Sequence, residues 1–382
     1  MSGVQIPQWS QVEERKWEHE LSFRMNILFF SRLFYPHIGG VENHVLEISK
    51  RLIAKGHKVV IITEELPTED IPVYRESRRK IPRRENINSI EIYRIPVGAN
   101  NWFRKFRIWR ELWKLRKLIK ISDIVHCHDV FFWYLPFRFL YSKKPAYTTF
   151  HGYETKFPPS KKAIFVRKIS EKLSWGNICV GDYVKKWYGT KPNYTTYGGV
   201  NVHNYHATVR GSYVKGIKIL FIGRLEEDVG IPIYLRIMDV LKKKIVRFTF
   251  DACGDGSFRK GVERFGKVYG FSSDLAPYIK SSDFVFTSSY LSILEAMAAK
   301  KMVFSVYSNP LKKDYLKMAP FAKWIIIENS PQRVVDEIQY FTKYQGERKE
   351  LVNKSYEWVK TQTWEKVVSM YLNLWRFNDL NH

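Results

Sequence analysis

The chain has 382 residues, too many for one ordinary domain and about right for two, and its 45% hydrophobic residues suffice for large cores. A formal net charge of +25 suits anionic partners: nucleic acid, lipid headgroups or phosphorylated substrates. Its three cysteines, Cys127, Cys179 and Cys253, form no CxxC pair, which excludes a disulfide framework and points to a reducing cytoplasm.

No apolar run reaches the ~18 residues a membrane span needs, so no transmembrane helix is expected. Residues 1–24 are polar, lack the apolar stretch of a secretory signal and read as an N-terminal extension: a flexible arm or a product of start-site choice. The first strand runs from Asn26 to Ser31. A loop with Pro36, Gly39 and Gly40 follows, then a helical stripe of Val41, Val45, Ile48 and Leu52 that Lys55-Gly56 closes. A buried strand from Lys58 to Thr63 completes a βαβ unit. Residues 101–121 form a helix, and Asp123–His126 and Ala146–Phe150 form further parallel strands. Those two strands end in polar residues, His128-Asp129 and His151. Open α/β sheets bind ligands at such carboxyl ends.

A linker at about 195–215 precedes a restart of the pattern near 216. Strands span Ile217–Ile222, Phe248–Ala252, Phe284–Thr287 and Met302–Val306; helices span Ile231–Lys244, Ser292–Ala299 and 331–344. One last helix, roughly 347–376, carries Trp358, Trp364, Tyr371 and Trp375. The expected division is 1–24 extension, 25–200 first Rossmann-like domain, 201–345 second Rossmann-like domain and 346–382 a helix returning to the first. The fold class is α/β, doubly wound, with a cleft between the halves.

Several motifs sit at strand ends. Gly39-Gly40 are either a tight turn or a place where backbone N–H groups meet an anion at a helix start. Arg224, after Gly223, either pairs with Glu226 or Glu227 or offers its planar fork to a phosphate. Ser292 and Glu295 fit a capping box, in which each satisfies the other's backbone N–H. In the functional alternative Glu295 accepts hydrogen bonds from ribose hydroxyls. His151 can donate to an oxygen near a reacting carbon. His126, His128 and Asp129 lack a fourth ligand at metal-site spacing, so no metal is assigned.

The 101–121 stretch is amphipathic. Trp102, Phe106, Trp109 and Trp113 share one helical face, widened by Leu112, Leu115 and Ile119. Arg104, Lys105, Arg107, Arg110, Lys114, Arg116, Lys117 and Lys120 oppose only Glu111. A basic helix with tryptophans suits an anionic membrane surface; the alternative is a core helix with a solvated basic face. Arg75, Arg78, Arg79, Lys80, Arg83 and Arg84 form a second basic cluster for that surface or for a phosphorylated acceptor. No nucleic-acid-binding motif is present, so nucleic acid is not assigned as a partner.

In this order the pieces resemble the family-4 retaining glycosyltransferases of the GT-B fold over most of residues 25–376. The carrying residues are Pro36, Gly39-Gly40-Val41-Glu42, Asp123 to Asp129, Phe150-His151-Gly152, Phe221 to Leu225, Gly254-Asp255-Gly256, Ser282 to Phe286 and Leu294 to Ala298. The resemblance implies His151 against the transferred sugar, Arg224 on the donor diphosphate and Glu295 on the ribose. It implies Gly39, Gly40, Gly223, Gly254, Ser289 and Ser292 around the donor phosphates. It implies front-face attack without metal or cofactor, the leaving phosphate taking the acceptor's proton, with the protein supplying position and charge. The acceptor is then a lipid-linked or other glycan, and the place the cytoplasmic face of a membrane.

Two positions depart from the family's pattern. Val229 stands where the family carries a lysine, five residues after Arg224, and Thr287 where it carries a first glutamate, eight before Glu295. A phosphate cation and a sugar-hydroxyl acceptor are therefore missing from their usual places, each worth roughly 1.5–3 kcal/mol. Competing readings are a nucleotide-sugar epimerase of the same fold, for which no acid/base carboxylate pair is identifiable, and a degenerate, non-catalytic protein.

Overall fold

The computed structural model describes residues 24–66, 81–152, 157–205, 216–244, 247–272 and 274–379. Residues 1–23 of the N-terminal extension, Arg75 to Lys80 of the second basic cluster and 206–215 of the linker lie outside the described residues.

Eight strands build the first sheet: β1 (Asn26–Ser31), β2 (Lys58–Glu64), β3 (Arg84–Ile87), β4 (Ile90–Ile95), β5 (Ile124–His128), β6 (Ala146–Phe150), β7 (Gly176–Val180) and β8 (Tyr194–Thr196). Their order is β3-β4-β2-β1-β5-β6-β7-β8, parallel except for the antiparallel edge pair β3–β4. β1 pairs with both β2 and β5 and is buried on both faces, which is why it reads as a continuous apolar run. Successive side chains of β1 point to opposite faces. Ile27 and Phe29 pack with Val45, Ile48 and Leu52 of α1 (Gly40–Ala54). Leu28 and Phe30 pack with Ile108 and Leu112 of α2 (Arg104–Lys114), Ile119 of α3 (Arg116–Ile121) and Trp133 of α4 (Phe131–Leu140). α5 (Lys161–Leu173) follows β6, and its Ser160 cap accepts from Ala163 N.

The second sheet holds β9 (Ile217–Ile222), β10 (Phe248–Cys253), β11 (Phe284–Phe286), β12 (Met302–Ser305) and β13 (Ile326–Ile327) in the order β10-β9-β11-β12-β13, all parallel. α6 (Ile231–Lys244) covers one face. α7 (Tyr290–Ala298) covers the other, and α8 (Pro310–Lys317) follows β12. α9 (Pro331–Lys343) lies on the α6 side and α10 (Gln345–Val359) on the α7 side. The architecture is therefore two doubly wound halves, as expected from the alternation of apolar strands and amphipathic helices.

Two helices expected as single pieces are each two. The terminal one breaks between α10 and α11 (Trp364–Asp379). Thr363 Oγ1 accepts from Lys366 N and starts the second piece, and the carbonyl of Gln362 is taken by Val200 N. Gly199 makes the crossing possible, because a Cβ there would sit 2.6 Å from Trp364 N. α11 then returns to the first sheet, burying Trp364, Val367, Val368, Tyr371, Leu374 and Trp375 beside α1. The 101–121 helix breaks at Leu115 into α2 and α3, and begins after Trp102, with Phe103 as its N-cap.

Candidate active site

The carboxyl ends of β5 and β6 bring four imidazoles together. His126 and His128 come from β5, His151 follows β6, and His44 enters from α1. His128 Nδ1 lies 2.8 Å from His151 Nε2, and the His44 and His151 rings are 4.7 Å apart, edge to face. Burial pulls every one of these imidazoles below its ordinary range, His44 and His126 to about 3, so all four are neutral at pH 7.

Hydrogen bonds fix which nitrogen of some rings carries the proton. The indole of Trp375 can only donate, and it donates to His126 Nδ1 at 3.1 Å. A neutral His126 therefore carries its proton on Nε2 and donates to Thr149 Oγ1 at 2.7 Å. Thr149 and Tyr371 are fully buried, and their hydroxyls lie 2.8 Å apart. Among the described residues the Thr149 hydroxyl hydrogen has no acceptor but Tyr371, which in turn donates to His44 Nε2 at 3.0 Å. The chain Trp375→His126→Thr149→Tyr371→His44 thus runs one way and leaves His44 with an Nδ1–H. A similar argument applies to His128, whose Nε2 has no partner among the described residues. An unpaired lone pair costs less than an unpaired N–H, so His128 donates through Nδ1 and His151 keeps its proton on Nδ1.

The turn carrying His151 is clamped. Asp129, in the left-handed region at φ 61°, accepts the backbone N–H of His151 at 3.1 Å. Arg167 on α5 sits 3.7 Å from that carboxylate, donates to Gly152 O and covers the rings of Phe150 and Tyr188. Sequence reasoning missed Arg167, which belongs to no motif in the sequence.

In the second half, Gly223 (φ +147°) and Gly254 (φ +151°) end β9 and β10 and touch: a Cβ on Gly254 would lie 1.8 Å from Gly223 O. Arg224 projects from this junction, exposed, and binds Asp228 at 2.7 Å, neither of the two glutamates considered from sequence. Ser289 is the N-cap of α7 without a side-chain cap bond, so α7 starts earlier than expected and the capping box does not form. The early start has a cause: Tyr290 N donates to Tyr315 Oη at 3.1 Å and the two rings stack at 3.9 Å. Ser292 falls in the first turn and Glu295 in the second. No hydrogen bond from the described residues reaches the Glu295 carboxyl, and burial, then the charge of Glu47 on α1, pushes it up to about 7.

Val229 and Thr287 are both turned inward. Val229 belongs to the apolar core, and Thr287 is fully buried, its Oγ1 accepting from Ser289 N. Sequence reasoning also missed Lys312 on α8, a buried ammonium 4.1 Å over the Tyr315 ring. Burial pulls it down to about 8, opposed by Asp228 and aided by Arg224.

These ends meet at the seam between the halves. Tyr183 packs on Tyr315 at 5.2 Å, Trp187 Nε1 donates to Asp314 at 2.9 Å, and the space where a Gly181 Cβ would stand is filled by Tyr290. Asp129 and Arg167 are charged neighbours of Tyr183, so the His151 turn and the Lys312–Arg224 group flank one aromatic patch. At the start of α1, Gly39 is an extended N-cap with the Glu42 carboxylate against it, while Gly40 faces open space. A cavity lined by Ile53, Gly56, His57 and Asn86 lies at the amino end of β2, the wrong end of the sheet for a ligand site.

The aromatic stripe divides. Trp102, Phe106 and Trp113 are exposed, joined by Phe103, Phe139 and Leu140. Trp109 is not on that surface: it is half-buried and donates its indole N–H to Phe132 O at 2.9 Å. Arg107 is spent on the carbonyls of Val97 and Ala99, and Arg110 and Lys114 share Glu111.

The sequence model of Glycosyltransferase Family 4 matches residues 38–206, and that of Glycosyl transferases group 1 matches 206–358. The chain belongs to the family-4 glycosyltransferases of the GT-B fold. An uncharacterized glycosyltransferase of Methanocaldococcus jannaschii is 24% identical, over 92% of this chain and all of that one. One subunit of the human phosphatidylinositol N-acetylglucosaminyltransferase is 53% identical over 38 residues, 10% of this chain and 8% of that one. A glycosyltransferase structure from Rickettsia africae superposes with a TM-score of 0.69 at 16% identity, covering 94% of this chain and all of that one. This transferase thus carries its neutral imidazoles on one side of the seam and Arg224 and Glu295 on the other. Among the described residues no helix is long and apolar enough to cross a membrane.

Proposed function

We propose that this glycosyltransferase moves a sugar, with retention and without a metal, from a nucleotide-diphosphate-sugar to a lipid-linked or other glycan acceptor at an anionic membrane face. The observation that supports the reading is that His151 follows β6 and Arg224 follows β9, each at the carboxyl end of its own sheet, with Tyr183 packed on Tyr315 where the two halves meet. A neutral imidazole held as Nδ1–H suits an oxygen of the sugar, Arg224 suits the diphosphate, and Glu295, whose carboxyl no hydrogen bond from the described residues reaches, suits a ribose diol. Gly223, Gly254, Gly39 and Gly40 let backbone approach the phosphates, with Ser289 and Ser292 at the start of α7. The leaving diphosphate takes the acceptor's proton, so the protein needs no general base and acts by positioning and charge. The exposed Trp102, Phe103, Phe106 and Trp113, with exposed Phe139 and Leu140 at the end of α4, on a chain of net charge +25, support contact with anionic lipid at the cytoplasmic side.

The test is a panel of uridine, guanosine and adenosine diphosphates followed by ligand-detected NMR, then assay of the matching nucleotide-sugars for slow donor hydrolysis. Binding of one nucleotide with release of its sugar supports the reading. Absence of binding to every member would sink it.

A further inference from the structure

Lys312 is a lysine in an unusual position. It is 6% exposed, and among the described residues no carboxylate stands within ion-pair distance of its Nζ and no hydrogen bond reaches it. Its ammonium rests on the face of Tyr315, and its charged neighbours are Arg224 and Asp228. Asp228 is already bound by Arg224 at 2.7 Å. Two cations and one carboxylate share this place, so one positive charge is left over on a side chain that is largely buried. Such an arrangement makes sense when an anion completes it.

Local packing explains why the cation comes from α8. Val229, where the cation would be expected, is part of the apolar core. Next to it, the left-handed Gly230 backs onto Val306, so the segment after β12 runs directly beside the segment after β9. Asn309 Oδ1 accepts from Lys312 N and caps α8, with Pro310 in its first turn, which fixes where the Lys312 side chain departs. Tyr315, one turn on, lies under the ammonium and at the same time accepts the N–H that opens α7.

We propose that Lys312 is a second binding residue for the donor's diphosphate, working with Arg224 from the neighbouring loop in place of a cation at position 229. The inference rests on the donor-site reading above. It adds a residue to it and explains how a chain with Val229 keeps two positive charges for a pyrophosphate.

The experiment is calorimetric titration of the full chain with inorganic pyrophosphate and with the nucleoside diphosphate chosen by the panel, for wild type, Lys312→Met, Lys312→Arg and Arg224→Met. Lys312→Met should bind both about ten- to a hundredfold more weakly, the loss expected for one charge-assisted contact. Lys312→Arg should keep most of the affinity. Thermal unfolding is read alongside: Lys312→Met should be as stable as wild type or more so, since an unpaired buried charge is removed. Weak binding with undiminished stability would be hard to explain by a structural role. If Arg224→Met loses affinity while Lys312→Met binds like wild type, the inference fails and the donor site stands. If wild type binds neither probe, both fall together.

Discussion

His151 and Glu295 do different work and should fail differently. His151→Ala removes the donor aimed at the sugar, and the transfer rate should fall by about 10²–10⁴ while the nucleoside diphosphate binds as before. Equal turnover in the variant would end the assignment. Glu295 is readable through pH. Its carboxyl sits above the ordinary carboxylate range, at about 7, so the folded chain holds a proton that the unfolded chain has released. Between roughly pH 4.5 and 7 the folded state binds more protons, and stability from this group falls as pH rises. Glu295→Gln should match wild type at pH 4 and exceed it at pH 8, by about 1–3 kcal/mol in denaturant titrations. Nucleotide affinity should move the other way in wild type, rising through pH 7, because a ribose diol donates to the ionised form.

Helices show what a sequence can and cannot disclose. Trp102 and Phe106 are exposed, so changing both to Glu should abolish binding to phosphatidylserine vesicles and leave the melting temperature within about a degree. Trp109 shares their spacing but is half-buried with its indole N–H on Phe132 O, so Trp109→Ala should cost roughly 3 kcal/mol of stability. Unchanged vesicle binding by the double variant would remove the membrane assignment. Periodicity placed all four aromatics on one face of a single helix from 101 to 121, whereas Trp102 precedes α2 and the Trp109 indole is held against α4 by its bond to Phe132 O. Buried parallel strands were legible, since β1 and β9 are largely apolar runs between turns and β5 and β6 are short runs with β-branched or aromatic residues. The β3–β4 hairpin was not, because Arg84-Glu85-Asn86 on an edge strand has no apolar pattern. His44 stands outside the Val41–Val45–Ile48–Leu52 stripe and belongs to no motif, and Lys312 is indistinguishable from Lys313 in sequence. What separates the two lysines is a neighbouring loop far away in the chain. The Ser292–Glu295 motif matched a capping box by spacing, yet Tyr315 starts the helix earlier.

The two halves are not independent, because the last helix belongs structurally to the first sheet. α11 supplies Tyr371 and Trp375 to the hydrogen-bond chain that ends at His44, and six of its buried apolar or aromatic side chains complete the core over β1, β5 and β6. The first half therefore cannot be finished until the C-terminal residues return to it. Trp375→Ala tests this directly. It removes a fully buried indole and leaves His126 Nδ1 without its donor, so the cost should be about 3–5 kcal/mol. Hydrogen exchange should then show protection lost in β1, β5 and β6, over 200 residues away in sequence, with β9 to β12 little changed. Loss confined to α11 and the second sheet would mean that the helix is an appendage of the half that precedes it. Tyr371→Phe separates packing from polarity in the same place. It keeps the ring, strands the Thr149 hydroxyl and His44 Nε2, and should cost only about 1–3 kcal/mol while shifting the imidazole nitrogen signals of His44 towards a mixture of tautomers. An unchanged nitrogen spectrum for His44 would show that its proton is placed by something other than the C-terminal helix.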